Sequence, residues 1–228
     1  MRPFALRIAL GFAVAVVAAL AAAPARVSAQ DAENVPGDFD YYVLALSWSP
    51  SFCAASAEHR GRSNGRQCGA RPYSFIVHGL WPQYDRGFPE YCQDPPPRLD
   101  HRIVAAMLDL MPAPHLVYNE WDKHGTCSGL SQQSYFDTVR KARAAVKIPA
   151  DYTDPQQPLN VAPDAVKDAF IKANTGLAPD AIAVTCDRKR LTGIRLCLAK
   201  DLTFHACPDI ARHGCRRDQV VMPPVRGG

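Results

Sequence analysis

Asn119-Glu120-Trp121-Asp122-Lys123-His124-Gly125-Thr126-Cys127 places a carboxylate, an ammonium and an imidazole within one helical turn. Residues three and four apart share a helix face. If the stretch is helical, Glu120, Lys123 and His124 point the same way and Trp121 turns toward a core. An acid, a cation and a titratable base on one face can move a proton and stabilise developing charge. Taken alone, the stretch fits a solvated helix end equally well, with a Glu–Lys pair and a closing glycine. A second stretch shifts that balance. Phe75-Ile76-Val77-His78-Gly79-Leu80-Trp81-Pro82-Gln83 brings another histidine beside a glycine and a tryptophan.

His78 to Pro82 and Glu120 to Cys127 read HGLWP and EWDKHGTC. In order, and with cysteines around them, they resemble the two signatures of the ribonuclease T-two family, the acid ribonucleases of fungi and plants with bacterial relatives. The resemblance runs from about Tyr41 to Cys215. It implies an antiparallel sheet flanked by helices and cleavage of single-stranded RNA without a metal or cofactor. His124 is implied as base and His78 as acid. Lys123 would steady the transition state, Glu120 polarise the site, and Trp81 stack on a substrate base. RNA carries its own nucleophile in the 2′-hydroxyl, so a base and an acid near neutral pH suffice to drive cyclisation. DNA lacks that hydroxyl and is not expected to be cut. Asn119 departs from the pattern, because many members carry a histidine there. Asparagine donates a hydrogen bond but carries no charge, so weaker phosphate binding is expected. Gln83 is a second departure and leaves base preference open.

The chain has 228 residues, the length of one domain with a sizeable core. Residues 1–29 read as a cleaved signal peptide: two early arginines, an apolar run from Ile8 to Ala23, and Val27-Ser28-Ala29 as a cleavage site. The apolar run is shorter than the roughly 20 residues a membrane span prefers. Removing Arg2, Arg7 and Arg26 leaves 23 Lys and Arg against 22 Asp and Glu. Net charge then gives no support for polynucleotide binding, so attraction to phosphate must be local. Eight cysteines behind a secretion signal read as four disulfides in a secreted or periplasmic protein. Spacing does not choose the pairing. The resemblance implies Cys53–Cys68, Cys92–Cys127, Cys186–Cys215 and Cys197–Cys207.

In order, residues 30–38 read as a flexible leader, 39–216 as the single domain and 217–228 as a loose tail. Phe39 to Trp48 reads as a buried strand, ended by Ser49-Pro50. Ala54 to Gly69 reads as a polar, arginine-bearing loop. Tyr73 to Val77 is a short strand that delivers His78 at its end, and Tyr84 to Pro97 is a proline-rich loop. Helices are expected at Leu99 to Met111, from Ser131 to about Val146, and from Pro163 to about Asn174. Strands are expected at Ala181 to Cys186, Leu191 to Leu198 and Leu202 to Ala206. Helices in the middle and strands at both ends indicate an α+β domain. His59, His101, His115, His205 and His213 read as surface, loop or structural residues.

Two other readings compete. His78, His124, Glu120 and Cys127 could together hold zinc, although no His-Glu-x-x-His pair exists. The chain could also be a secreted binding or storage protein that keeps the fold without turnover. Both histidines, Lys123 and Glu120 are retained, which favours an enzyme, expected as a monomer.

Overall fold

The computed structural model describes residues 34–60, 66–69 and 71–225, with the side chains of 59 and 60 excepted. The signal-peptide reading, residues 30–33 of the leader and the His59 side chain lie outside them.

Strand β1, Tyr41–Trp48, is buried along its length and is paired on both sides. It joins β2 (Phe75–Gln83), β4 (Ile182–Cys186) and β5 (Leu191–Leu198) in an antiparallel sheet of order β2-β1-β5-β4. One sheet face carries the core, where Leu44, Leu46, Val77, Leu80, Ile194 and Leu196 meet apolar faces of the helices. Those helices are α2 (His101–Met107), α3 (Pro114–Lys123), α4 (Gln132–Ala145) and α5 (Pro163–Ala173). Asp100 and Ser131 accept backbone N–H bonds at the starts of α2 and α4, and Pro114 and Pro163 open α3 and α5. A smaller cluster of Tyr41, Val43, Cys197, Cys207, Trp81 and Ile210 covers part of the other face. The architecture is the expected α+β one, with the sheet flanked by helices.

Disulfides join Cys53 to Cys68, Cys92 to Cys127, Cys186 to Cys215 and Cys197 to Cys207, the pairs that the resemblance implies. The Cys92–Cys127 bond spans 35 residues. It holds the proline-rich loop against the end of α3, and the Tyr91 amide donates to the Lys123 carbonyl there at 2.9 Å.

Several sequence readings need correction. Residues 49–60 are a helix, α1 (Ser49–Arg60), rather than a turn into a loop. Its polar composition gives no clear apolar stripe, and Pro50, read as a strand terminator, is preset for a first helical turn. The second strand does not stop at Val77. It runs through Pro82, which an edge strand tolerates because its missing N–H faces away from the ladder. His115 lies in the first turn of α3, exposed, rather than in a loop. Leu202 to Ala206 is not a strand: Phe204 makes one isolated bridge to Leu198, and Leu202 sits at φ 70° in a tight return toward the Cys197–Cys207 bond.

The tail is not loose as far as Val225. β6 (Val220–Met222) pairs with β3 (Leu159–Val161), and Val220, Met222 and Val225 are buried. The charged run Arg216-Arg217-Asp218 hides this short apolar strand from a composition-based reading. The leader is likewise anchored at residue 37, whose amide donates to the Cys127 carbonyl at 2.9 Å. Gly37 and Gly129, both at positive φ, let these backbones touch.

Candidate active site

β2 carries one residue more than β1 needs. Ala45 pairs with Gly79 and Leu46 with Val77, so His78 is the surplus residue of a β-bulge. A bulge re-aims a side chain. Val77 stays in the core, while the His78 imidazole turns to the opposite face, where Ser47 Oγ lies 3.2 Å from its Nδ1. The bulge also shifts the phase of the rest of the strand: Leu80 points into the core and Trp81 points out.

From the other side, α3 presents Glu120 and Lys123, and His124 caps its end. Val117 and Trp121 bury the back of that helix in the core, which fixes the direction of its working face. Glu120 is only 5% exposed. Its Oε2 accepts the Trp81 indole N–H at 2.7 Å, and its Oε1 lies 3.5 Å from His78 Nε2. Gly79 makes this possible. A Cβ at that position would overlap Glu120 Oε2 and stand 2.5 Å from Trp81 Nε1. The Trp81 ring lies over His124, with centroids 5.3 Å apart and planes 30° apart, and meets His78 edge-on at 5.8 Å. Lys123 Nζ pairs with Glu90 at 3.0 Å and lies about 6 Å from the Phe88 and Tyr91 rings.

These groups line one cleft of about 510 Å³. It brings together all seven residues singled out in the sequence: His78, Trp81, Gln83, Asn119, Glu120, Lys123 and His124. His101, His115, His205 and His213 are not among its lining residues. His205 packs its ring against Tyr41, and His213 bonds through Nδ1 with the Asp209 carbonyl.

The sequence reading missed Phe88, Tyr91, Asp122, Arg195 and Ile210, which line the same cleft. Arg195 left a signal: it is the lone charge in a mostly apolar strand, Leu191–Leu198. Phe88 and Tyr91, 50% and 57% exposed, left a weaker one as aromatics beside a bridged cysteine.

Burial pushes each acid–base group toward its neutral form. The His124 imidazole falls to about 3, chiefly through desolvation, with Lys123 and His78 adding repulsion. Among the described residues its buried Nδ1 has no hydrogen-bond partner. His78 is lowered by desolvation and then by Arg195. Glu120 rises to about 8 through desolvation, only partly offset by the Trp81 N–H and by Lys123. These shifts favour an unprotonated imidazole at 124 even in acid and a protonated carboxyl at 120 near neutrality.

Glu120 has a consequence for stability. A carboxyl whose folded pKa lies above its unfolded value of 4.5 stabilises the fold fully below that value. The contribution is lost progressively as pH rises from 4.5 through about 8. Glu120→Gln keeps the shape and cannot ionise. It is expected to raise stability by a few kcal/mol at pH 8, since each unit of pKa is worth about 1.4 kcal/mol, and to change little at pH 4. Denaturant melts of both proteins at the two pH values check this. An equal gain, or none, at both would mean that Glu120 folds already ionised.

Fold and cleft together define a disulfide-stapled α+β domain with two histidines, a carboxyl and an ammonium around one cleft. The chain belongs to the Ribonuclease T2 family, whose model matches residues 39–207. It is 43% identical over 130 residues to a ribonuclease of Aeromonas hydrophila, covering 57% of this chain and 57% of that one. It is 38% identical over 127 residues to a probable ribonuclease of Haemophilus influenzae, covering 51% of this chain and 47% of that one. The chain thus spans about half the length of these curated relatives. In three dimensions it is similar to RNase NT, solved in complex with 5′-AMP, with a TM-score of 0.65 and 24% identity over 82% of this chain and 99% of that one.

Proposed function

We propose that this protein is a metal-independent endoribonuclease that cleaves single-stranded RNA by 2′-hydroxyl attack. The products are a 2′,3′-cyclic phosphate and then a 3′-phosphate. The observation that carries the reading is the convergence of His78, Glu120, Lys123 and His124 on one cleft. His124 is the base that takes the 2′-hydroxyl proton, a role that suits an imidazole held unprotonated by burial. His78 is the acid that protonates the departing 5′-oxygen. A bound phosphate supplies the negative charge that favours its protonated form, offsetting the nearby cations.

Lys123 leaves Glu90 to meet charge growing on the phosphoryl oxygens. Glu120, protonated near neutrality, donates a hydrogen bond there or returns a proton to His78. Trp81 has its N–H on Glu120 and its ring over His124, so it positions both. The uncovered part of its indole stacks on a base, and Phe88 and Tyr91 extend that aromatic surface. Asn119 contacts the substrate without contributing charge.

The partner is RNA alone: DNA lacks the nucleophile, and neither a cofactor nor a second subunit takes part. Four disulfides suit an oxidising compartment, in keeping with a secreted or periplasmic enzyme released from residues 1–29. Among the described residues no helix is long and apolar enough to cross a membrane. Residues 39–216, extended by the packed strand at 220–222, act as the one catalytic domain.

Mass analysis of products from an oligoribonucleotide tests the chemistry. Terminal cyclic phosphates formed in excess EDTA are expected. Products with 5′-phosphates, or loss of cleavage in EDTA, would overturn the assignment. The pH profile tests the roles. Activity rises as His124 loses its proton near pH 3 and falls as His78 loses its own below 6.5. The maximum of kcat/KM should therefore lie in the acid range between those limits. A maximum above pH 7 would show that the two imidazoles do not act in these states.

A further inference from the structure

One cation in the cleft has no task in the acid–base scheme. Arg195 stands on β5, between Ala45 of β1 and Ala183 of β4. Gly79 lies beyond Ala45 on β2, so only small residues separate Arg195 from the edge where His78 and Trp81 stand. Its guanidinium reaches into that space, 5.4 Å from the centre of the Trp81 ring, and lines the cleft.

The guanidinium is partly buried, yet among the described residues it makes neither a hydrogen bond nor an ion pair. Other arginines spend their donors. Among the half-buried ones, Arg140 holds Asp109, Arg143 holds the Val146 carbonyl, and Arg190 holds Glu58 and Asp187. A planar fork with five N–H donors, taken from water and given no acceptor, is a site for an oxyanion. Desolvation lowers its pKa, which agrees with a cation lacking its counter-charge. It also acts on His78, because it is one cause of that imidazole's reduced proton affinity. A field that repels a proton there attracts a phosphate oxygen to the same place.

We propose that Arg195 seats the phosphate of bound RNA: its guanidinium binds a non-bridging oxygen of the phosphodiester held between His78 and His124. It supplies from the sheet the positive charge that Asn119 does not supply from α3. The inference rests on the endoribonuclease reading for the identity of the anion, while the seat itself requires only a phosphoryl oxygen. The other titratable groups that line the cleft are His78 from β2, Tyr91 from the proline-rich loop, Glu120, Asp122 and Lys123 from α3, and His124 at its end.

Two measurements on the folded full-length protein test this. In the first, inorganic phosphate is titrated while the His78 imidazole is followed by NMR, with Arg195→Gln and Arg195→Lys beside the native chain. The native protein is expected to bind phosphate with a rise in the His78 pKa. Arg195→Gln should bind at least about tenfold more weakly, with His78 already raised before phosphate is added. Arg195→Lys should lie between, since it keeps the charge and loses the fork. In the second, the KM for single-stranded RNA is expected to rise about tenfold in Arg195→Gln, and the salt dependence of binding to weaken by about one ion.

Unchanged phosphate affinity in folded Arg195→Gln would overturn the seat, whatever happened to cleavage. Reduced cleavage with unchanged phosphate binding would mean that the side chain only braces Trp81. If Arg195→Gln did not fold, native-like phosphate affinity together with an unshifted His78 in Arg195→Lys would overturn the proposal equally. The phosphate titration needs no turnover. An inactive native protein whose phosphate binding depended on Arg195 would refute the nuclease reading and leave the seat standing.

Discussion

His124→Ala should lower kcat for single-stranded RNA by about two to four orders of magnitude, the range that one positioned acid or base contributes. His124 ends α3 with its ring beneath the Trp81 indole and its Nδ1 buried and, among the described residues, unpartnered. Its removal costs little hydrogen bonding, so the fold should persist. His78→Ala should fall by a similar factor. In the proposed mechanism the two rings serve one proton circuit across one phosphate, so the double variant should be scarcely worse than either single one. Rates on a homopolymeric RNA, with thermal melts to confirm folding, decide the matter. Near-native turnover in either single variant would remove that histidine from the reaction. Multiplying losses in the double variant would show that the rings act independently.

The second large effect concerns a residue with no side chain. Gly79→Ala is expected to reduce kcat about a hundredfold while lowering stability only modestly. The new methyl group would overlap Glu120 Oε2 and lie 2.7 Å from Glu120 Cδ. The obstructions are the far ends of two side chains, Glu120 and the Trp81 indole 2.5 Å away, so relief comes from Glu120 and Trp81 swinging apart. That movement releases the Trp81 N–H and breaks the approach to His78. Displacing a positioning group by about 1 Å can cost a hundredfold in rate. Overpacking by one methyl costs about 1–3 kcal/mol when backbone and core must shift, and less where a side chain can yield. Comparing kcat with the melting temperature separates the two effects. A Gly79→Ala protein of native activity would mean that Glu120 has no fixed place in the site.

Much of this arrangement is legible in the sequence, for a physical reason. Glu120, Lys123 and His124 follow helix spacing, so one periodicity sets their common direction. The strands β1, β4 and β5 announce themselves as apolar runs with turn residues between them. Less legible was everything that depends on partners far along the chain. Nothing local tells that Pro82 lies on an edge, or that Val220 and Met222 have Leu159 and Val161 waiting for them. α1 was hidden because a polar helix resembles a polar loop in composition. Arg195 could be noticed as an odd charge in its strand, but its approach to Trp81 crosses β1, and no spacing rule spans a sheet.

The surplus residue at position 78 carries a further implication. A ladder in perfect register beyond Val77 would turn Trp81 into the core and Leu80 out to solvent, leaving Glu120 without the indole N–H that it accepts. The working face therefore exists because one strand is miscounted against its neighbour. Deleting a neighbouring residue, a change that would regularise the hydrogen bonding and please any designer of ideal sheets, would also invert which side of β2 looks at solvent from that point on. Variation by insertion or deletion within this strand is thus far more dangerous to the molecule than most exchanges of one side chain for another.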